Sequence, residues 1–210
     1  MSSDKLSALR AAAGPVSRET FRHLLTFEET FKRWNARINL AAPSTLPHLW
    51  ERHILDSAQL LPLAPAAERW LDLGSGGGFP GAVVAILLID REKAHVDLVE
   101  SSHKKAAFLQ NVLASSAAPA TVHVKRIEAC YGRIAAPEVI TARALAPLPK
   151  LLKLIAPWMS GGTRALLHKG RGYLREVEES GAAWRFDLLE HKDSVGGEGV
   201  ILEISNLHRR

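Results

Sequence analysis

Between Ser17 and about Leu40 the apolar residues Phe21, Leu24, Leu25, Phe31, Trp34 and Ile38 recur at helical spacing, with Ser17 in the N-cap position. This predicts one long amphipathic helix. After Ala41-Ala42-Pro43, Ser44 or Thr45 stands as the cap of a second helix with Pro47 in its first turn, running through Trp50, Ile54 and Ala58 to about Leu61. Pro62 and Pro65 end it. From Arg69 the pattern changes to short β-rich runs at Arg69–Leu73, His95–Val99, Thr121–Lys125, Val139–Ala142 and Arg164–His168. Helical stretches fit between them at Gly81–Ile89, His103–Ser115 and Leu148–Trp158. Alternation of this kind predicts an α/β fold with a mostly parallel sheet covered on both faces. The tail differs, with a helix over Tyr173–Ser180 and two strands near Phe186–Glu190 and Val200–Ile204, separated by Gly196-Gly197-Glu198-Gly199. That pair reads as an antiparallel edge. The expected organisation is a helical extension over residues 1–65 and one α/β domain over 66–210.

Composition narrows the class. Of 210 residues, 47% are hydrophobic and 23% charged, a globular balance that excludes a disordered or fibrous chain. The longest apolar run, Ala82–Ile89, is far short of the ~20 residues a membrane-spanning helix needs, and the N-terminus carries no apolar signal stretch. A soluble, cytoplasmic protein is expected. The single cysteine, Cys130, excludes an intrachain disulfide and a cysteine zinc cluster. A net charge of +5 favours a polyanionic partner. Seven Lys and Arg against three Glu over residues 148–185 hold most of that excess.

The segment richest in chemistry is Asp72-Leu73-Gly74-Ser75-Gly76-Gly77-Gly78-Phe79-Pro80-Gly81, between the first strand and the first helix of the α/β domain. Its glycines allow close backbone approach to a nucleotide-like cofactor, and Pro80 suits a first helical turn. Read as Gly76-x-Gly78-x-x-Gly81 it also fits the dinucleotide fingerprint, which keeps an NAD-dependent dehydrogenase open. Two features weigh against NAD. The helix would begin only at Pro80, beyond the glycines, and Asp72 beside the loop suits a cationic cofactor better than an anionic pyrophosphate. Glu100, ending the second strand, is placed to take both hydroxyls of a ribose, or else to cap the helix that follows at Ser101 or Ser102. Arg126-Ile127-Glu128 follow the third strand, where such folds flank an adenine; a surface ion pair is the plainer reading of Arg126 and Glu128.

These motifs, together with Arg52-His-Ile-Leu-Asp-Ser57, Thr141-Ala-Arg-Ala144 and Lys169-Gly170, resemble the RsmG, or glucose-inhibited division protein B, family. The likeness runs from about Phe27 to the C-terminus, with further matches at Trp34-Asn35 and Asn39-Leu40. It departs at Ala41, where the family often has Thr, and in the long Ala-rich N-terminus. The resemblance implies a Rossmann-like class I methyltransferase of seven strands that uses S-adenosyl-L-methionine to form 7-methylguanosine in bacterial 16S ribosomal RNA. It implies that Gly74 and Phe79 line the methionine and adenosine side of the cofactor loop that contains Gly76, that Ile127 and Glu128 lie on the adenine side, and that Arg143 binds cofactor; at its strand end the Arg143 fork also suits an RNA phosphate or a purely structural role. A non-catalytic RNA-binding protein on the same fold remains a further alternative.

Arg52, His53 and Asp56 fall on one helical face, read as a polar cluster packing the extension onto the α/β domain; too few ligands are present for a metal site. Asn39, ending the long helix, is a candidate for facing the target base. Lys169 and Arg171, in a basic loop after the fifth strand, are candidates for RNA phosphate contact. No general base is assigned, and His53 is expected to be structural.

Overall fold

A computed structural model describes residues 2–196 and 199–210. The expected Gly196–Gly199 turn therefore lies partly outside the described residues, at Gly197 and Glu198. Helix α1 (Ser2–Ala13) precedes α2 (Arg18–Ile38), and the Ser17 hydroxyl accepts the Thr20 N–H as the N-cap. No pattern in the sequence announced α1; its weak amphipathicity comes from an Ala-rich composition that favours helix everywhere. It is anchored by the buried Leu9 and by Lys5, whose Nζ lies 2.6 Å from Glu28 of α2. Glu28 is also paired with Lys32, and the two ammonium groups hold its carboxyl below the usual range although burial opposes them.

The second expected helix is broken. Residues Pro43–His48 form 3-10 turns, Trp50–Leu55 a π-helical turn, and only then come α3 (Asp56–Ala58) and α4 (Leu60–Leu63). Pro47 lies inside the 3-10 stretch, and a ring without an N–H cannot continue an α-helical ladder. The wider π turn sits where Arg52 and His53 meet the α/β domain.

The sheet contains β1 (Arg69–Leu73), β2 (His95–Val99), β3 (Ala120–His123), β4 (Val139–Arg143), β5 (Arg164–Lys169), β6 (Trp184–Lys192) and β7 (Val200–Arg209). Their order is β3-β2-β1-β4-β5-β7-β6, parallel except for β7, which runs antiparallel to both β5 and β6. The last two strands are longer than their sequence pattern indicated, and Lys125 falls beyond β3. Between the strands lie α5 (Gly81–Leu87), α6 (His103–Ser116), α7 (Leu148–Ile155) and α8 (Tyr173–Gly181).

Strand residues alternate between two cores, as a pleat of period two requires. Trp70, Val139, Leu166 and Ile201 face α5, α6 and the N-terminal helices; Leu71, Ile140, Leu167 and Leu202 face α7 and the apolar side of α8. The extension thus completes one layer of the sandwich and shares its core. Among the described residues no helix is long and apolar enough to cross a membrane.

Candidate functional site

The chain order reverses between β1 and β4, and open α/β sheets bind ligands outside the carboxyl ends of strands at such a point. A cavity of about 320 Å³ opens there. Gly74, Gly76, Glu100, Ile127 and Glu128 line it together, drawn from the ends of β1, β2 and β3. The glycine loop is tied to β2, because the N–H groups of Gly74 and Ser75 both donate to the Val99 carbonyl. Gly76 has φ +52°, and an added Cβ would meet nothing nearer than the Gly74 carbonyl at 3.6 Å. The missing side chain leaves that space to the cavity.

Glu100 is the charged group at the centre of this wall. One carboxylate oxygen accepts the Gly76 N–H at 2.8 Å and the other the Ser102 N–H at 2.7 Å. The capping and ligand-binding readings of Glu100 are therefore compatible: each oxygen uses one lone pair locally and keeps another for a hydroxyl. No ion pair joins Arg126 to Glu128 among the described residues; both line the cavity, with Lys105, Lys125 and Lys150 nearby. Those three lysines were missed as site residues, since only the folded chain gathers them from three separate connections.

Asp72 does not stand beside the cofactor as expected. Its carboxylate does not face the cavity but is 1% exposed beneath the loop, where it accepts the Thr141 hydroxyl of β4 at 2.7 Å. A Cβ on Gly81 would fall 2.5 Å from Asp72 Oδ2, so that glycine permits α5 to start directly over the carboxylate. Burial pushes the Asp72 carboxyl up to about 6, against the hydrogen bonds made to it. Asp72 thus tells nothing about cofactor charge. Pro80 also lies just before the first helical residue, not inside the turn.

Phe79 points away from the cavity and joins an aromatic cluster with Phe27 and Phe31 of α2, at centroid distances of 5.6 and 5.2 Å. His53 stacks on it at 4.8 Å. Neither ring nitrogen of His53 has a hydrogen-bond partner, and its pKa is lowered to about 4 by burial first and by the charges of Arg143 and Arg52 second. An imidazole depressed in this way is neutral in the folded protein while the unfolded chain takes up a proton near 6.5. Stability is accordingly complete above about pH 6.5 and lost progressively as pH falls toward 4. Denaturant unfolding at several pH values is expected to show that His53→Gln removes part of this acid-side loss; identical pH slopes for both proteins would contradict the assignment.

Arg143, the last residue of β4, lies in a second cavity of about 650 Å³ rather than in the first. Its Nη1 pairs with Asp56 at 2.9 Å and its Nη2–H donates to the Arg52 carbonyl, locking the π turn of the extension to the sheet. That Nη1 is shielded from solvent and meets the Asp56 carboxylate as a close ion pair without hydrogen-bond geometry. His168 of β5 donates from Nε2 to the Asp56 carbonyl, and its buried Nδ1 is unpartnered. Gln59 takes part as well, accepting the Ser194 N–H and hydroxyl, both at 2.9 Å. The cluster of Arg52, His53 and Asp56 does pack the extension onto the sheet. Asp56, Gln59 and His168 were not singled out as cavity residues, because their partners across the cavity are more than eighty residues away in sequence.

Lys169 also lines the second cavity, but its Nζ lies 2.5 Å from Glu176 and donates to the Ala146 carbonyl, so its charge is already engaged. Arg171 is exposed at the same cavity. Asn39 is exposed with φ +50° as the C-cap of α2. The two cavities share Ala144 as a common wall. Among the described residues no group of three His, Cys, Asp or Glu is arranged to hold a metal ion.

Comparison with known proteins adds family information. The family model described as rRNA small subunit methyltransferase G matches residues 20–202. A protein of Chelativorans sp. named ribosomal RNA small subunit methyltransferase G is 69% identical over 209 residues, covering all of both chains. One of the same name from Brucella canis is 53% identical over 211 residues, covering 100% of this chain and 99% of its own. Among solved structures, a TehB-like SAM-dependent methyltransferase from Corynebacterium glutamicum has a TM-score of 0.59 at 13% identity, covering 86% of this chain and 98% of its own. A putative O-methyltransferase from Klebsiella pneumoniae has a TM-score of 0.58 at 16% identity, covering 94% of each chain. These structures share the fold.

Proposed function

The chain belongs to the rRNA small subunit methyltransferase G family, and from that membership we propose that it transfers the methyl group of S-adenosyl-L-methionine to N7 of a guanine in bacterial 16S ribosomal RNA. We place the reaction in the cytoplasm, on RNA held within a small-subunit particle, with residues 1–65 acting as a helical extension that completes the site of a methyltransferase domain over 66–210. The observation that carries the reading is the pair of cavities meeting at Ala144, one glycine-walled and one lined by Arg143 and Arg171.

The first cavity fits the cofactor. Gly76 leaves its wall open, Glu100 offers a carboxylate to ribose hydroxyls, and Ile127 with Glu128 borders the adenine side. When bound, S-adenosylmethionine supplies an electrophilic sulfonium methyl group. In the second cavity Arg143 holds the extension through Asp56 and the Arg52 carbonyl and lends positive charge to the wall, which suits the cofactor carboxylate or an RNA phosphate at that border. Arg171 and Asn39 contact RNA, while Lys169 holds its own loop through Glu176. Guanine N7 already carries an in-plane lone pair, so the protein's work is alignment and exclusion of water. With His53 titrating near 4, the single-turnover rate is expected to be flat between about pH 6.5 and 9; a tenfold rise per pH unit would show that a base is needed.

Calorimetry tests the cofactor reading against its NAD rival. The expected result is binding of S-adenosylmethionine and none of NADH. Glu100→Gln is expected to weaken the former by about 1–3 kcal/mol, because its amide must turn a donor toward the Gly76 or Ser102 N–H. An unchanged dissociation constant would confine Glu100 to tying the loop.

A further inference from the structure

At the end of β7 away from the glycine loop, Arg185, His208, Arg209 and Arg210 surround an open hollow of about 790 Å³, with Asp187 and Asn206 completing its wall. β7 starts at the cofactor edge, where Val200 pairs with Lys169, and is ten residues long. At about 3.3 Å per residue its far end lies roughly 30 Å away. These side chains therefore cannot reach a base in the second cavity.

Three guanidinium groups against the single side-chain carboxylate of Asp187 leave this hollow basic. Arg185 stands directly across from His208 in the β6–β7 ladder, where two basic side chains crowd one position. Among the described residues no carboxylate forms an ion pair with Arg185, Arg209 or Arg210, whereas Arg143, Arg164 and Arg175 each have one. Asp187, the acid in the wall, is occupied by the Asn206 amide at 2.6 Å. Arg210 donates to the Trp184 carbonyl, which fixes its side chain beside the hollow. Basic residues on an edge strand also discourage pairing with other chains. That purpose would put them beside Leu189, which is 56% exposed in the middle of β6, and not clustered at its start.

We propose that this hollow binds the RNA phosphate backbone at a second place, about a β-strand's length from the reacting guanine. Guanidinium forks suit phosphate oxygens, and a structured RNA spans the distance that a free nucleotide cannot. The inference rests on the ribosomal RNA reading above.

The test measures binding and methylation of small ribosomal subunits from a strain lacking this modification, over a range of salt. Arg185→Glu with Arg209→Glu is expected to weaken subunit binding on the order of tenfold or more at ~0.1 M salt and to lower the salt slope by about 0.7–0.9 per lost contact. Arg185→Gln with Arg209→Gln is expected to do the same in smaller measure. S-adenosylmethionine affinity, which stays at the wild-type value, reports that each variant is folded. Wild-type affinity and slope in both variants would overturn the proposal, and self-association alongside them would assign the patch to guarding the edge. A wild-type protein that binds cofactor but neither binds nor methylates the subunits would overturn the ribosomal RNA reading itself.

Discussion

Arg143→Met is expected to cost about 3 kcal/mol of folding stability, the lower end of what breaking a buried ion pair costs. The side chains of Arg143 and Asp56 are 21% and 14% exposed, so Met would leave the Asp56 carboxylate largely out of water without its guanidinium. The loss also severs the bond to the Arg52 carbonyl, so the extension loses its tie to the end of β4. Adding Asp56→Asn is expected to restore about half of the deficit by removing the stranded charge, at a rate of methyl transfer still far below wild type. Urea unfolding of the two single variants and the double variant measures this directly. A loss under about 1 kcal/mol for Arg143→Met would mean that the pair is exposed in solution and does not anchor the extension.

Gly76→Asn is expected to lower S-adenosylmethionine affinity on the order of a hundredfold while the protein stays folded. Asn tolerates the left-handed backbone at φ +52° better than other side chains, and the loop offers no clash nearer than 3.6 Å. Its side chain must therefore occupy the cavity where the backbone alone now stands. Calorimetry gives the affinity and a thermal melt the folding. A folded variant with wild-type affinity would move the cofactor away from this loop.

The short β-rich strands and the glycine loop were legible because local pattern determines them: β1, β2, β4 and β5 are apolar runs that send residues into both cores, and the left-handed turn at Gly76 admits few residues. Glu100 was legible as a strand-ending acid, although its bond back to Gly76 was not. The failures are long-range. Asp72 looked like a cavity carboxylate from its place beside the glycines, and only the Thr141 hydroxyl on a neighbouring strand shows that it is buried. Phe79 lies within the loop but packs on α2, and Lys169 is neutralised from α8. The broken helix over residues 43–63 has the apolar spacing of an unbroken one. Its Pro47 and the anchoring of Arg52 and Asp56 to β4 and β5 override that spacing.

The central claim is a methyl transfer to one atom of one RNA. Small ribosomal subunits from a strain lacking this modification, incubated with the protein and methyl-tritiated S-adenosylmethionine, are digested and the labelled nucleoside identified. The account predicts label in 7-methylguanosine from a single position of the 16S ribosomal RNA, reduced by Gly76→Asn to background. Label on any other atom, or none from a protein that binds the cofactor, would contradict it.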